Sequence, residues 1–252
     1  MTKPFSDHFS FHAAEYARFR PDYPPPLFDW LASIVPRQFV SWDCATGNGQ
    51  AAIALASRFD AVVATDASAA QLSEARRVAN VHYVQAAAES CPLRDRSVDV
   101  VTVAQAMHWF DLDAFYAEVG RVVVPGGAIV VWSYALMAID PAIDALVDRF
   151  YRDTLGGWWP AERRHVDEGY RSLRFPFAPI EHPSLEMTRE WSLAELLGYI
   201  GTWSAFQRYA RARGHEALDE FAGRVAAAWG APERRRTVRW PLAIRAGRIS
   251  GE

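Results

Sequence analysis

Lysine is almost missing from this sequence. Lys3 is the only one among 252 residues, and every other basic residue is arginine. With Lys3 in an N-terminal tail, no lysine is left to be buried and catalytic. That excludes Schiff-base enzymes, P-loop nucleotide hydrolases and dehydrogenases built on a tyrosine–lysine pair. Cysteine is scarce too. Cys44 and Cys91 are the only two, so a disulfide framework is excluded and a reducing cytoplasm is the expected location. No apolar run approaches the roughly 20 residues that cross a bilayer, so no membrane partner is expected. The opening MTKPFSDHFSFHAAEY lacks the charged-then-apolar order of a secretory signal. The net charge is only −3. With no basic concentration beyond Arg234, Arg235 and Arg236, no nucleic acid partner is expected either.

What is present is a hydrophobic half and a strict rhythm. The length suits one α/β domain with extra elements. Residues 1–37 are aromatic and proline-rich; they predict a short helix over 12–18, an extended turn at RPDYPPP and a helix over 27–34. From Phe39 short apolar runs alternate with helical patterns. FVSWDC, AVVATD, VHYVQAA, SVDVVTVAQA and AIVVWSYA predict strands. GQAAIALASRF, SAAQLSEARRVA and DLDAFYAEVGRVV predict helices, with Ser68 and Asp111 as N-caps and the last helix stopping before PGG. Buried runs spaced by helices indicate a parallel sheet covered on both faces, a doubly wound α/β fold. After Ala135 the rhythm loosens. DPAIDALVDRFYRDTL predicts a helix, followed by a tryptophan- and arginine-rich excursion. HPSLEMTREW predicts a strand running into a helix over 192–211. A last helix covers 216–229, and RRTVRWPLAIRAG predicts the final strand.

Open parallel sheets bind ligands beyond the C-terminal strand ends, where strand order reverses. The first strand ends at Asp43, and Gly47 and Gly49 let a ligand approach the backbone. Gly47, Gly49 and Ala52 match G-x-G-x-x-A, a weak signal that fits two ligands. A dinucleotide would put its pyrophosphate on the helix N-terminus. S-adenosylmethionine has no phosphate and carries an ammonium, beside which an acid ahead of the glycines makes sense. The second strand ends at Asp66, which suits ribose hydroxyls in either ligand. The third ends in AAAESCPLRD and the fourth in AQAMHWFD.

In order, DCATGNGQ (43–50), TDAS (65–68), AES and CPLRDRSVD (88–99), QAMHWFD (105–111) and RVVVPGG (121–127) resemble the class I S-adenosylmethionine-dependent methyltransferases. Within these, the chain is similar to the small-molecule branch of trans-aconitate and cantharidin methyltransferase-like proteins. AEYARFRPDYP (14–24) resembles that branch's lead-in. The resemblance covers residues 11–135. It implies a Rossmann-like, seven-stranded, mostly parallel sheet whose last two strands, around LEMTREW and TVRWPLAIRA, form an antiparallel edge. It also implies a single methyltransferase domain over 1–252: a lead-in or lid (1–37), a cofactor-binding core (38–135), a substrate cover (136–235) and a C-terminal strand and tail (236–252). Ala45 departs from the family's usual glycine, and alanine fits there if its φ is negative.

The resemblance implies roles. Asp43 lies near the cofactor's amino group, above a floor of Ala45, Thr46, Gly47, Gly49 and Gln50. Asp66, with Ala67, takes the ribose hydroxyls. Gln71 packs on adenine, and Ala88 and Glu89 border it. Gln105 holds the methionine end, and Tyr16 and Arg20 close over the ligand, Arg20 on its carboxylate. Each has a plainer reading as a cap, core residue or surface ion pair. His108 is the candidate base or substrate contact, or a structural hydrogen-bonder. Trp109, Tyr134, Trp158, Trp159 and Arg163 are candidate acceptor contacts, an aromatic wall with arginines that suits a planar or carboxylate-bearing molecule. His108, Cys44 and Cys91 lack metal-ligand spacing, so no metal is expected. The reading is methyl transfer from S-adenosylmethionine to a small-molecule oxygen, carboxylate or hydroxyl, by a monomer or homodimer. The alternatives are a nicotinamide-dependent dehydrogenase, or an S-adenosylmethionine-binding protein without catalysis.

Overall fold

The computed structural model describes residues 19–249. The helix expected over 12–18 and candidate Tyr16 lie outside them. After Pro24 the chain enters α1 (Pro25–Ser33), with proline at its first turn, where a missing N–H costs nothing. The expected extension of residues 22–26 therefore ends at Pro24. Five parallel strands follow: β1 (Val40–Cys44), β2 (Ala61–Asp66), β3 (Val81–Gln85), β4 (Val98–Ala104) and β5 (Val123–Ser133). Their connections carry α2 (Gln50–Leu55), α3 (Ala69–Ser73) and α4 (Leu112–Val122). Ser68 and Asp111 cap α3 and α4 as expected, each accepting a backbone N–H with its side chain. α3 is one short turn, half the length its pattern predicts. PGG does not separate α4 from β5; it lies inside β5, where the pairing with β4 shifts register.

The seven-stranded sheet has the order β3-β2-β1-β4-β5-β9-β6. Here β6 is Ala178–Pro179 and β9 is Ala243–Arg248, and β9 runs antiparallel to both of its neighbours. Strand order reverses between β1 and β4. Alternation along β5 builds the two faces. Ala128, Val130 and Trp132 join one apolar core with α1 and α2, while Ile129 and Val131 join the other with Phe115 and Val119 of α4.

The antiparallel edge differs from the expected one. LEMTREW supplies β7 (Glu186–Trp191), which pairs only with β8 (Arg236–Pro241) in a separate two-stranded sheet. TVRWPLAIRA is not one strand. Pro241 lacks the N–H a ladder needs; the chain bends at Leu242, so β8 joins the cover and β9 alone enters the main sheet. The cover is α5 (Pro141–Arg149), α6 (Arg163–Asp167), α7 (Leu193–Gly201), α8 (Ser204–Arg213) and α9 (Glu216–Trp229). α5 runs on into a π turn over Phe150–Thr154. The single helix expected over 192–211 is two. Thr202 turns its hydroxyl back to the Tyr199 carbonyl (2.7 Å), and Gln207 caps the freed Gly201 carbonyl (2.6 Å).

Candidate functional site

The loop after β1 is a backbone construction. Ala45, Gly47 and Gly49 all have positive φ, at 54°, 58° and 87°. Ala45 thus adopts the left-handed conformation that the negative-φ expectation excluded. Pinning compensates for an L-residue there, because Thr46 donates its N–H to the Thr65 carbonyl of β2 (2.9 Å). Asp66 binds the same loop from the side. Its two carboxylate oxygens accept the N–H groups of Gly47 and Ser68, both at 2.8 Å.

Asp43 lies beneath, 1% exposed. Its oxygens accept the hydroxyls of Thr46 (2.5 Å) and Thr102 (2.8 Å). Burial pushes its pKa up to about 6, against the pull of those two hydroxyls. Thr102 was not singled out from the sequence. The signal was there: one hydroxyl residue in the apolar run VDVVTVA, in register with Asp43 across the β1–β4 pair. Tyr83 of β3 was also missed. Its ring fills the space a Cβ on Gly49 would need, and the charge of Asp43 reaches it.

Around this floor the other candidates separate. Gln71 brings its side-chain oxygen to 3.7 Å from the position of a Gly47 Cβ. Ala67 gives its carbonyl to Gln85. Ala88 is buried, and the Glu89 carboxylate accepts the N–H of Asp111, so it serves the start of α4. Gln50 reaches the lead-in instead, donating to the Pro21 carbonyl (3.0 Å) and to Asp22 (3.2 Å). Gln105, at φ 57°, follows β4 and donates its side-chain amide to the Tyr134 carbonyl (2.8 Å).

Beyond β4 an open cleft is lined by Arg20, Gln105, His108, Trp109, Tyr134 and Trp159 with Arg163, Tyr199 and Trp203. The Asp43–Asp66 floor is not part of it; of the candidate cofactor contacts, Arg20 and Gln105 line it. Arg20 donates to the Tyr134 hydroxyl (2.8 Å) and lies over the Tyr199 ring. Arg163 is held through Nε by Tyr151 (2.8 Å) and Asp167 (3.2 Å), and is stacked on Trp159. Tyr151, Tyr199 and Trp203 carried no local motif. Trp158 turns away from the lining and packs edge-on against Tyr209 of α8. No Asp or Glu lines the cleft among the described residues. Nor do three or more His, Cys, Asp or Glu side chains converge there as metal ligands. No described helix is long and apolar enough to cross a membrane.

Two carboxylates at adjacent strand ends repel each other. That donor set suits a ligand bearing a cation and a diol, and opposes a pyrophosphate. Comparison with known proteins agrees. A family profile described as a methyltransferase domain matches residues 42–131. A protein of Dictyostelium discoideum named as a methyltransferase is 33% identical, over 87% of this chain and 88% of its own length. An uncharacterized methyltransferase of Mycobacterium tuberculosis is 39% identical over 47% of this chain and 49% of its own. A solved structure from Anaeromyxobacter dehalogenans, described as a type II methyltransferase, superposes with a TM-score of 0.88 at 48% identity, covering 93% of this chain and all of that one. The dehydrogenase alternative is thereby set aside, and the chain belongs to the class I S-adenosylmethionine-dependent methyltransferases.

Proposed function

We propose that the protein transfers a methyl group from S-adenosylmethionine to an oxygen of a small molecule held in the cleft beyond β4. One observation carries this reading: β4 holds Thr102, which bonds Asp43, and is followed directly by Gln105, which lines the cleft. When bound, the cofactor supplies an electrophilic methyl carbon on a sulfonium, which an acceptor oxygen takes by displacement.

The chain's own residues hold and align. Asp66 takes the ribose hydroxyls, with Ala67 alongside. Asp43 acts from below as a buried negative charge toward the ammonium, with Ala45, Thr46, Gly47 and Gly49 as the floor. Gln71, Ala88 and the backbone at Glu89 border the adenine. Gln50 acts indirectly by holding the lead-in, while Arg20 closes the methionine end, with Tyr16 preceding it. Gln105 stands between donor and acceptor. Trp109, Tyr134, Trp159 and Arg163 shape the acceptor site, where exclusion of water and alignment supply most of the rate. Trp158 contributes by packing.

Calorimetric titration with S-adenosylmethionine and S-adenosylhomocysteine tests the reading, with NAD and NADP as controls. Micromolar-range binding of the first pair, lost in Asp66→Ala, is the expected result. Nicotinamide binding would overturn it. Tight cofactor binding without turnover over a panel of carboxylic acids, phenols and alcohols would favour a non-catalytic binding protein.

A further inference from the structure

His108 and Tyr170 meet at the wall of the cleft. His108 sits in the turn Met107–Trp109 that follows β4 and lines the cleft beside Gln105 and Trp109. Tyr170 comes from far along the chain, just after α6. Gly169 and Tyr170 take consecutive left-handed conformations, at φ 60° and 61°. Left-handed backbone is unfavourable for tyrosine, and here it delivers the ring into a fully buried position. Its hydroxyl oxygen then lies 3.1 Å from His108 Nδ1.

The direction of that hydrogen bond follows from what surrounds Tyr170. Burial keeps the phenol protonated, so it has a hydrogen to donate. His108 Nδ1 is the one acceptor present for it among the described residues. If Nδ1 carried a proton, the Tyr170 hydroxyl would be a buried donor with no partner. Nδ1 therefore accepts, and the imidazole proton sits on Nε2. A general-base histidine has the opposite arrangement: its Nδ1–H is given to an acceptor, which leaves the Nε2 lone pair for the substrate.

We infer that Tyr170 locks His108 as the neutral Nε2–H tautomer, so that His108 donates a hydrogen bond to a carboxylate acceptor and does not deprotonate an alcohol or phenol. Tyr170 is the positioning residue and His108 the substrate contact. This rests on the methyl-transfer reading for the identity of the site. The chemistry balances without a base. A carboxylate oxygen already holds the electron pair for the new O–C bond, the C–S pair leaves with sulfur, and no proton has to be removed. The lining agrees, since it contains arginines and no carboxylate of its own.

Nitrogen-15 NMR of the histidine rings in the full-length protein, with S-adenosylhomocysteine added, tests the inference. His108→Gln identifies the signals. The expected result at pH 8 is a protonated Nε2 and an unprotonated Nδ1, with the preference weakened in Tyr170→Phe. Benzoate and succinate should move the Nε2–H signal; phenol and benzyl alcohol should not. A protonated Nδ1 in the unaltered protein would overturn the lock, even if Tyr170→Phe does not fold. An unchanged tautomer in a folded Tyr170→Phe would do the same. Movement by phenol or benzyl alcohol, or by none of the four, would overturn the carboxylate assignment. Failure of the methyl-transfer reading would look different: the tautomer would stand while neither S-adenosylmethionine nor S-adenosylhomocysteine bound.

Discussion

The strand-end floor and the aromatic cover, each assigned one reactant in the proposed reaction, are built from different materials. The floor is backbone. Within residues 43–68, amides of Gly47 and Ser68 meet one carboxylate, and three positive-φ residues shape the loop. The cover is side chain. Arg20, Tyr134, Trp159, Arg163 and Tyr199 converge from positions far apart in the chain, tied by ring contacts and single hydrogen bonds. A backbone site is specific to one ligand geometry and leaves little room for change. A side-chain site can change its ligand by substitution while the scaffold stays.

The contrast predicts unequal penalties. Gly49→Ala should cost the most. It puts a Cβ where Tyr83 stands, with ring carbons at 2.9 Å, on a backbone at φ 87°. Left-handed alanine and overpacking together cost about 3–4 kcal/mol. Urea unfolding would measure this, and a loss below 1 kcal/mol would show that the floor adapts after all.

Asp43→Asn should come next and depend on pH. Burial raises the Asp43 pKa from 3.8 to about 6. The native state thus holds an extra proton between those values, and the unaltered protein loses stability as pH rises through that window. The full cost, about 3 kcal/mol, is reached above about pH 6. The variant lacks this term, so its stability relative to the unaltered protein should climb between pH 4 and pH 6 and then stay level. It should also bind S-adenosylmethionine more weakly at pH 8. A difference that does not vary with pH would mean that the carboxylate is not desolvated.

Gly198→Leu should have the smallest effect. A Cβ there would lie 2.5 Å from the Phe19 ring, so the lead-in would lift from α7. Overpacking at this edge should cost about 1–2 kcal/mol, with faster proteolysis near residue 19 and weaker S-adenosylhomocysteine binding as Arg20 is drawn away. Unchanged affinity would show that Arg20 does not close the methionine end.

Much of the floor was legible because its signals are local. Asp43 and Asp66 close apolar strands, glycines follow the first, and Ser68 caps the next helix. In the cover, elements such as the helix over 216–229 were legible, but the side chains that line the cleft were legible only as composition. Trp158 and Trp159 are adjacent in the sequence, yet one packs against Tyr209 and the other lines the cleft. The π turn after α5 carries Tyr151 to Arg163, and it has no sequence signature. TVRWPLAIRA read as one strand because its apolar pattern continues across Pro241, and the missing proline N–H outweighs that pattern.

The amino-acid sequence by itself determined the alternation of strand and helix, the helix caps, the acids at the strand ends and the family, because each depends on residues a few positions apart. Tertiary structure alone decided that Thr102 shares the Asp43 proton environment, that β7 and β8 leave the main sheet, and that Tyr170 meets His108 across 62 positions. Those outcomes depend on strand register and on how separate layers pack. Neither is encoded at any single stretch of chain.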